Sequence, residues 1–98
     1  MAIETINPYN NKSVKTFEEI SEKQLESKIE TAHNAYLEWK NSSFSERSKL
    51  LNKVASLMKQ KKKELAELIT LEMGKLIAQS EAEIDMCISV YEYYAENA

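Results

Sequence analysis

Glycine and proline are nearly absent from this chain, which has one of each, Gly74 and Pro8, in 98 residues. Sandwiches and barrels need many tight turns, and glycine and proline build most of them, so such folds are disfavoured. The scarcity favours long helices joined by few loops. A single glycine also excludes the glycine-rich loops that bind dinucleotides or nucleotide phosphates. At this length the chain is one small domain or part of a larger one.

The charges are unevenly distributed along the chain, whose formal net charge is −3. Residues 43–75 hold eight Lys or Arg against four Glu, whereas residues 76–98 hold five acidic residues and no Lys or Arg. Adjacent segments of opposite sign can pack favourably, and the overall acidity gives no reason to expect a nucleic-acid partner. No apolar run approaches the roughly 20 residues of a membrane span, so no membrane partner is expected. Met1–Glu4 is unlike a secretory signal, and the lone Cys87 cannot form an internal disulfide, so we expect a cytoplasmic location.

Residues 3–20 are the only part of the chain with the pattern of β-strands. A turn-forming run, Asn-Pro-Tyr-Asn-Asn-Lys at 7–12, is followed by the alternating Val14 and Thr16. Proline presets φ and asparagine tolerates the left-handed conformation, so this run predicts a turn. We expect a β-hairpin that rests on helices or on another sheet, because an isolated two-stranded ribbon is barely stable in water.

The first helix is predicted over residues 21–42. Ser21 followed by Gln24 fits a capping box, in which the serine oxygen accepts from an early backbone N–H and the glutamine reaches back. Apolar residues then recur at spacings of four, three, four and three, which defines a narrow stripe on one helical face. The stripe consists of Leu25, Ile29, Ala32, Tyr36 and Trp39.

A second helix is predicted over residues 43–74, with either Ser43 paired to Glu46 or Ser45 as its N-cap. Its first half carries a wide apolar face that we expect in the core: Leu50, Leu51, Val54, Leu57 and Met58. The lysine-rich run at 59–63 interrupts the apolar pattern, which allows a break near residue 61. Gly74 can adopt the positive φ that ends many helices.

A last helix is predicted over residues 76–97, apolar on more than one side. One of its faces carries Ile77, Ile84, Ile88 and Tyr91. The predicted fold class is therefore α+β and mostly α-helical, a short N-terminal β-hairpin followed by three or four helices. Residues 1–98 form a single segment in this interpretation.

The residue types that usually carry chemistry form no recognisable site. His33 is the only histidine and has no cysteine near it in sequence, so we expect a surface or boundary position rather than a metal site. Cys87 lies mid-helix in the acidic segment, beside apolar neighbours, so we expect it to be buried and unreactive. The lysine run at 59–63 is expected on a solvated helix face. Three carboxylates spaced by two point to different helix faces and are also expected in solvent: Glu81, Glu83 and Asp85.

The aromatic residues are expected in the core or in an interface, because Trp39 and the tyrosines follow helical spacing. Tyr91, Tyr93 and Tyr94 should be partly exposed in the isolated chain, and such a cluster implies a missing partner surface. No catalytic, cofactor-binding or metal-ligating residue is predicted in the chain, because no nucleophile, base and charge stabiliser come together.

An ordered set of short motifs resembles the start of the aldehyde dehydrogenases. Ile-Asn-Pro at 6–8 opens the set, Ala-Tyr-Leu-Glu-Trp at 35–39 closes the first helix, and Ser-Glu-Arg-Ser-Lys-Leu-Leu at 45–51 begins the second. Leu-Ala-Glu-Leu-Ile-Thr-Leu-Glu-Met-Gly-Lys at 65–75 and Tyr-Tyr-Ala-Glu-Asn-Ala at 93–98 are most similar to the succinate-semialdehyde dehydrogenase branch. The resemblance covers essentially the whole chain.

The resemblance implies an NAD(P)-dependent enzyme that oxidises an aldehyde, succinate semialdehyde in that branch, to the carboxylic acid. In the family a cysteine thiolate attacks the carbonyl, hydride passes to the nicotinamide, and a glutamate-activated water releases the acid. None of these residues, nor the cofactor-binding turn, matches a position here, and Cys87 is not at the catalytic position. Leu76 departs from the family, which commonly has proline there.

The chain is therefore similar only to the N-terminal portion of the family. In that case the catalytic and cofactor domains are absent, and the segment itself binds no NAD or NADP. The implied partner is the remainder of the dehydrogenase chain, in a homo-oligomer when complete. From the residues alone a free-standing helical protein-interaction module stays open, as does a binder of anionic surfaces acting through the lysine run at 59–63.

Overall fold

The computed structural model describes residues 3–98, which form a two-stranded antiparallel sheet followed by four helices. This arrangement confirms the predicted fold class. The elements, in chain order, are β1 (Ile3–Asn7), β2 (Lys12–Phe17), α1 (Glu22–Trp39), α2 (Phe44–Gln60), α3 (Lys62–Met73) and α4 (Ile77–Asn97).

The hairpin turn is built by asparagines. Asn11 has a φ of 55°, and its backbone N–H donates to the carbonyl of Asn7 at 2.8 Å. The Oδ1 of Asn7 accepts from the backbone N–H of Tyr9 at 2.9 Å. The register shifts after the pair Thr5–Lys15, because Ile6 pairs with Ser13 and Val14 is left as a bulge. β1 packs against α3, which gives the hairpin the support that the sequence requires.

Capping boxes start both α1 and α2. In α1 the backbone N–H of Gln24 donates to the Oγ of Ser21, and Gln24 Oε1 accepts from the backbone N–H of Ser21 at 2.8 Å. Ser43 and Glu46 make the same pair of bonds at the start of α2. Of the two N-caps that the sequence allowed for α2, the structure therefore has Ser43.

The helical backbone breaks at Lys61, between α2 and α3. Lys61 has a φ of −100° and a ψ of 11°, outside helical geometry, so the break between α2 and α3 lies within the lysine-rich run. α3 ends at Gly74, whose φ is +71°. A Cβ on this residue would lie 2.9 Å from Cγ of Pro8, so the position requires glycine for its close approach to the hairpin as well as for its backbone conformation.

The core lies between α2, α3 and α4. Its buried members are Ala55, Ala66, Ile84 and Ile88, and the partly buried Met58, Leu65, Ile69 and Tyr91 pack against them. Part of the predicted core face is wrong, because Leu50 and Leu57 are 47% and 44% exposed. α2 packs against α4, and the one buried residue of α2 is the small Ala55.

Candidate functional site

The residues with reactive side chains stand apart from one another. His33 is exposed on α1, as predicted, with its ring centroid 6.2 Å from that of Tyr36. Cys87 is also exposed, so the prediction that it is buried is wrong. Within residues 3–98 no group of three or more His, Cys, Asp or Glu side chains is placed to hold a metal ion. The described residues also contain no helix both long and apolar enough to cross a membrane.

Several basic side chains bind the acidic last helix. Lys62 donates to Oδ2 of Asp85 at 2.8 Å, and this hydrogen bond raises the pKa of the Lys62 ammonium above its ordinary value. The other such pairs are Lys59–Glu92 and Lys75–Glu83. These contacts confirm that the oppositely charged segments pack together, although ion pairs between exposed side chains stabilise a fold only weakly. They also engage part of the lysine run within the fold, which argues against an anionic-surface site there.

Aromatic and sulfur-containing side chains form an uncovered patch on the outer side of α4. Tyr93 and Tyr94 meet edge to face, with ring centroids 5.2 Å apart, and are 59% and 54% exposed. Met86 and Val90 are exposed on the same helix. Tyr91 instead packs on the core. The patch has the composition of a protein interface.

The apolar stripe of α1 is a second uncovered surface. None of the residues of α1, all of which the structure describes, is buried, and Leu25, Ile29, Tyr36 and Trp39 are all exposed. At the C-terminal end of the helix the Arg47 guanidinium lies 5.6 Å from the Trp39 ring and donates to the Trp39 carbonyl. Arg47 also donates to Oγ of Ser42 at 2.8 Å. α1 is thus anchored to α2 at one end, and its stripe faces solvent.

The molecule exposes more surface than its mass accounts for. A compact monomer of 11.3 kDa has an accessible surface of about 5,700 Å², whereas this chain exposes 8232 Å². Its radius of gyration is 17.6 Å, against about 13 Å for a compact domain of this length. The chain forms a plate with extents of 48 × 39 × 17 Å. About 2,500 Å² is therefore exposed beyond the amount usual for a compact monomer of this mass.

Sequence reasoning missed the small residues that position the helices. Ala55 and Ala66 are almost fully buried, and Ser80 is fully buried with its Oγ 2.8 Å from Oγ1 of Thr70. This hydroxyl pair links α3 to α4. Alanine and serine contribute little to a hydrophobic pattern, so periodicity gave no signal for them.

Comparison with known proteins identifies the family of this chain. The family model described as the aldehyde dehydrogenase family matches residues 1–98. The chain belongs to the aldehyde dehydrogenase family. The resemblance found in the sequence motifs is thereby confirmed.

The family members to which this chain is similar in sequence include succinate-semialdehyde dehydrogenases. The chain is 40% identical over 92 residues to succinate-semialdehyde dehydrogenase [NADP(+)] of Deinococcus radiodurans, covering 94% of this chain and 19% of that protein. It is 38% identical over 98 residues to a probable succinate-semialdehyde dehydrogenase [NADP(+)] of Synechocystis, covering 100% and 22%. The chain thus spans about a fifth of the length of the curated relatives that it matches.

Solved aldehyde dehydrogenase structures contain the same arrangement of elements. Betaine aldehyde dehydrogenase of Staphylococcus aureus superposes with a TM-score of 0.89 at 30% identity, over 98% of this chain and 20% of that one. Glyceraldehyde-3-phosphate dehydrogenase of Methanocaldococcus jannaschii, complexed with NADP, gives a TM-score of 0.89 at 29% identity, over 95% and 20%. The hairpin and four helices are therefore a conformation that aldehyde dehydrogenases adopt.

Proposed function

We propose that this chain is the N-terminal segment of an NAD(P)-dependent aldehyde dehydrogenase that oxidises succinate semialdehyde to succinate. The overall reaction consumes the aldehyde, NAD(P)⁺ and water, and produces the acid, NAD(P)H and a proton. The observation that carries the proposal is the 40% identity to a succinate-semialdehyde dehydrogenase [NADP(+)]. The choice between NAD and NADP stays open, because the succinate-semialdehyde dehydrogenase is named for NADP⁺ and the betaine aldehyde dehydrogenase structure holds NAD⁺.

Within that enzyme the segment acts as scaffold and supplies no catalytic, cofactor-binding or metal-ligating residue. Its residues do not fit a nicotinamide dinucleotide. The sheet in residues 3–98 is a two-stranded antiparallel hairpin, whereas dinucleotide sites use parallel strands followed by a glycine-rich turn. The single glycine, Gly74, ends a helix and lies against Pro8. The partner of the segment is the remainder of the chain, in a cytoplasmic homo-oligomer, without nucleic acid or membrane.

The test is to read the coding sequence past codon 98, express the complete product and measure NAD(P)H formation at 340 nm. Succinate semialdehyde should be oxidised with a higher kcat/KM than acetaldehyde or betaine aldehyde. The purified 98-residue chain is the matched control and should give no turnover. A complete product that oxidises no aldehyde with either nucleotide would refute the proposal.

A free-standing interaction module is the second candidate, favoured by the exposed Tyr93–Tyr94 pair on α4. Sedimentation of the 98-residue chain separates the two. A module should sediment as one defined species at every concentration, whereas a segment that lacks its partner surface should associate further as its concentration rises.

A further inference from the structure

The β-hairpin, residues 3–17, rests on the helices without entering their core. β1 packs against α3, but across residues 3–7 and 12–17 no side chain is buried. The apolar residues of the two strands are all between 37% and 56% exposed: Ile3, Ile6, Val14 and Phe17. The buried core residues of the described chain lie in α2, α3 and α4. Removing the hairpin therefore uncovers little apolar surface and leaves the core contacts of the helices in place.

The hydroxyl of Thr5, on β1, opposes the docking of the hairpin. Thr5 Oγ1 is buried and has no hydrogen-bond partner within residues 3–98. Such a group loses its hydration on burial without gaining a bond in return, and it regains water only when the strand moves away. The strand pairing is also irregular here, because the bulge at Val14 directly follows the Thr5–Lys15 pair.

The helices, by contrast, are joined by hydrogen bonds that satisfy their buried hydroxyls. Ser80 Oγ, fully buried on α4, lies 2.8 Å from Thr70 Oγ1 on α3. Ser48 on α2 donates to the carbonyl of Ala95 in the last turn of α4. The three helices are therefore joined more firmly to one another than the hairpin is to α3.

An open cavity of about 430 Å³ separates the hairpin turn from the junction between α3 and α4. Tyr9 lines it on the side of the turn, and Leu71 and Ile77 line it on the side of the helices. Well-ordered contacts in proteins are close-packed, so a gap of this volume means that few dispersion contacts hold the turn. The approach of Pro8 to Gly74 is the close contact at this end of the hairpin.

We propose that the hairpin, residues 3–17, is a detachable strap that separates from α3 while α2, α3 and α4 stay folded. Separation hydrates Thr5 Oγ1 and opens the cavity beside Gly74 to solvent. Because an isolated two-stranded ribbon is barely stable in water, the strands lose their pairing when they undock. The inference is independent of the proposed function, since it uses only contacts within residues 3–98.

Hydrogen–deuterium exchange of the 98-residue chain, followed by mass spectrometry of the hairpin and α4 peptides, tests the proposal. The hairpin should exchange faster than α4, because it opens without global unfolding. Ile88→Val removes one carbon atom from the core and should lower the protection of α4 by about 2- to 10-fold, while the protection of the hairpin stays unchanged. Equal losses in both peptides would show that the hairpin opens only together with the core, which overturns the proposal.

A second pair of variants tests the role of the buried hydroxyl. Thr5→Val replaces it by a methyl group of the same shape, and Thr16→Val makes the same change at an exposed position of β2 as the matched control. Thr5→Val should raise the protection of the hairpin by about 5-fold or more beyond the control. A gain no larger than that of Thr16→Val, or a loss of protection, would show that the hydroxyl does not oppose docking and would also overturn the proposal.

Discussion

Replacing Ile88 by alanine and, in a separate variant, Ile29 by alanine removes the same three carbon atoms from two helices of the same chain. Both residues lie on apolar helical stripes that the sequence does not distinguish. In the structure Ile88 is 5% exposed and belongs to the core, whereas Ile29 is 61% exposed on α1. The pair therefore tests the burial pattern with the chemistry of the substitution held constant.

The expected magnitudes differ widely. At about 0.8 kcal/mol for each buried methylene, the transfer contribution at Ile88 is roughly 2.4 kcal/mol. The cavity left between α2, α3 and α4 adds to this value, so a loss of about 3 kcal/mol is expected within the usual range for such substitutions. At Ile29 little burial is lost, and alanine is the better helix former by about 0.4 kcal/mol. The stability of that variant should stay within about 0.5 kcal/mol of the parent.

Thermal unfolding of the 98-residue chain, followed by circular dichroism at 222 nm, measures the difference. A change of 1 kcal/mol shifts the Tm of a domain this size by about 4–8 °C. Ile88→Ala should therefore lower the Tm by about 12–24 °C, or leave no transition, while Ile29→Ala moves it by less than about 4 °C. Similar shifts for the two variants would refute the assignment of the core to α2, α3 and α4.

Three further predictions concern single positions. Gly74→Ala should destabilise the chain by at least about 1 kcal/mol, since alanine disfavours positive φ. The loss should be smaller in a Pro8→Ala background, because the contact with Cγ of Pro8 is gone there. Equal losses in the two backgrounds of this double-mutant cycle would contradict that contact. The hydrogen bond from the Ser43 N–H lowers the pKa of the Glu46 carboxyl. The ionised Glu46 therefore contributes fully to folding stability above the ordinary pKa of 4.5, and this contribution disappears as the pH falls through the lowered pKa. An NMR titration of the Glu46 carboxyl should show the lowered pKa, and Glu46→Gln should remove this contribution to the pH dependence of stability. Cys87 should react with a thiol reagent in the folded 98-residue chain as fast as in urea, and protection would contradict its exposure.

The positions of the helices could be predicted because local chemistry determines them. Ser21 and Ser43 satisfy the first free N–H groups of α1 and α2, and Gly74 alone can end α3 with a positive φ. These signals need no knowledge of what lies beside the helix. The hairpin turn is similarly local, since Asn7 and Asn11 supply its hydrogen bonds and its left-handed residue.

Burial could not be predicted as well, because it depends on what packs against a face. The apolar neighbours of Cys87 predict that it is buried. Successive residues on a helix differ by a rotation of 100°, and Ile88 faces the core, so Cys87 beside it points away from the core and is exposed. Ala55 and Ala66 give almost no hydrophobic signal, although small side chains allow helix axes to approach closely. The stripe of α1 has helical periodicity like the buried face of α4 and remains exposed.

α4 and α1 are therefore held in place by different contacts. α4 is held by core contacts with α2 and α3, and also by ion pairs to Lys59, Lys62 and Lys75. α1 has an N-terminal capping box but no buried residue, and Arg47 contacts only its C-terminal end. Substitutions of core residues in α2, α3 or α4 should then change the stability of the 98-residue chain, whereas substitutions on the α1 stripe should change it little, because the stripe buries no side chain in the described residues.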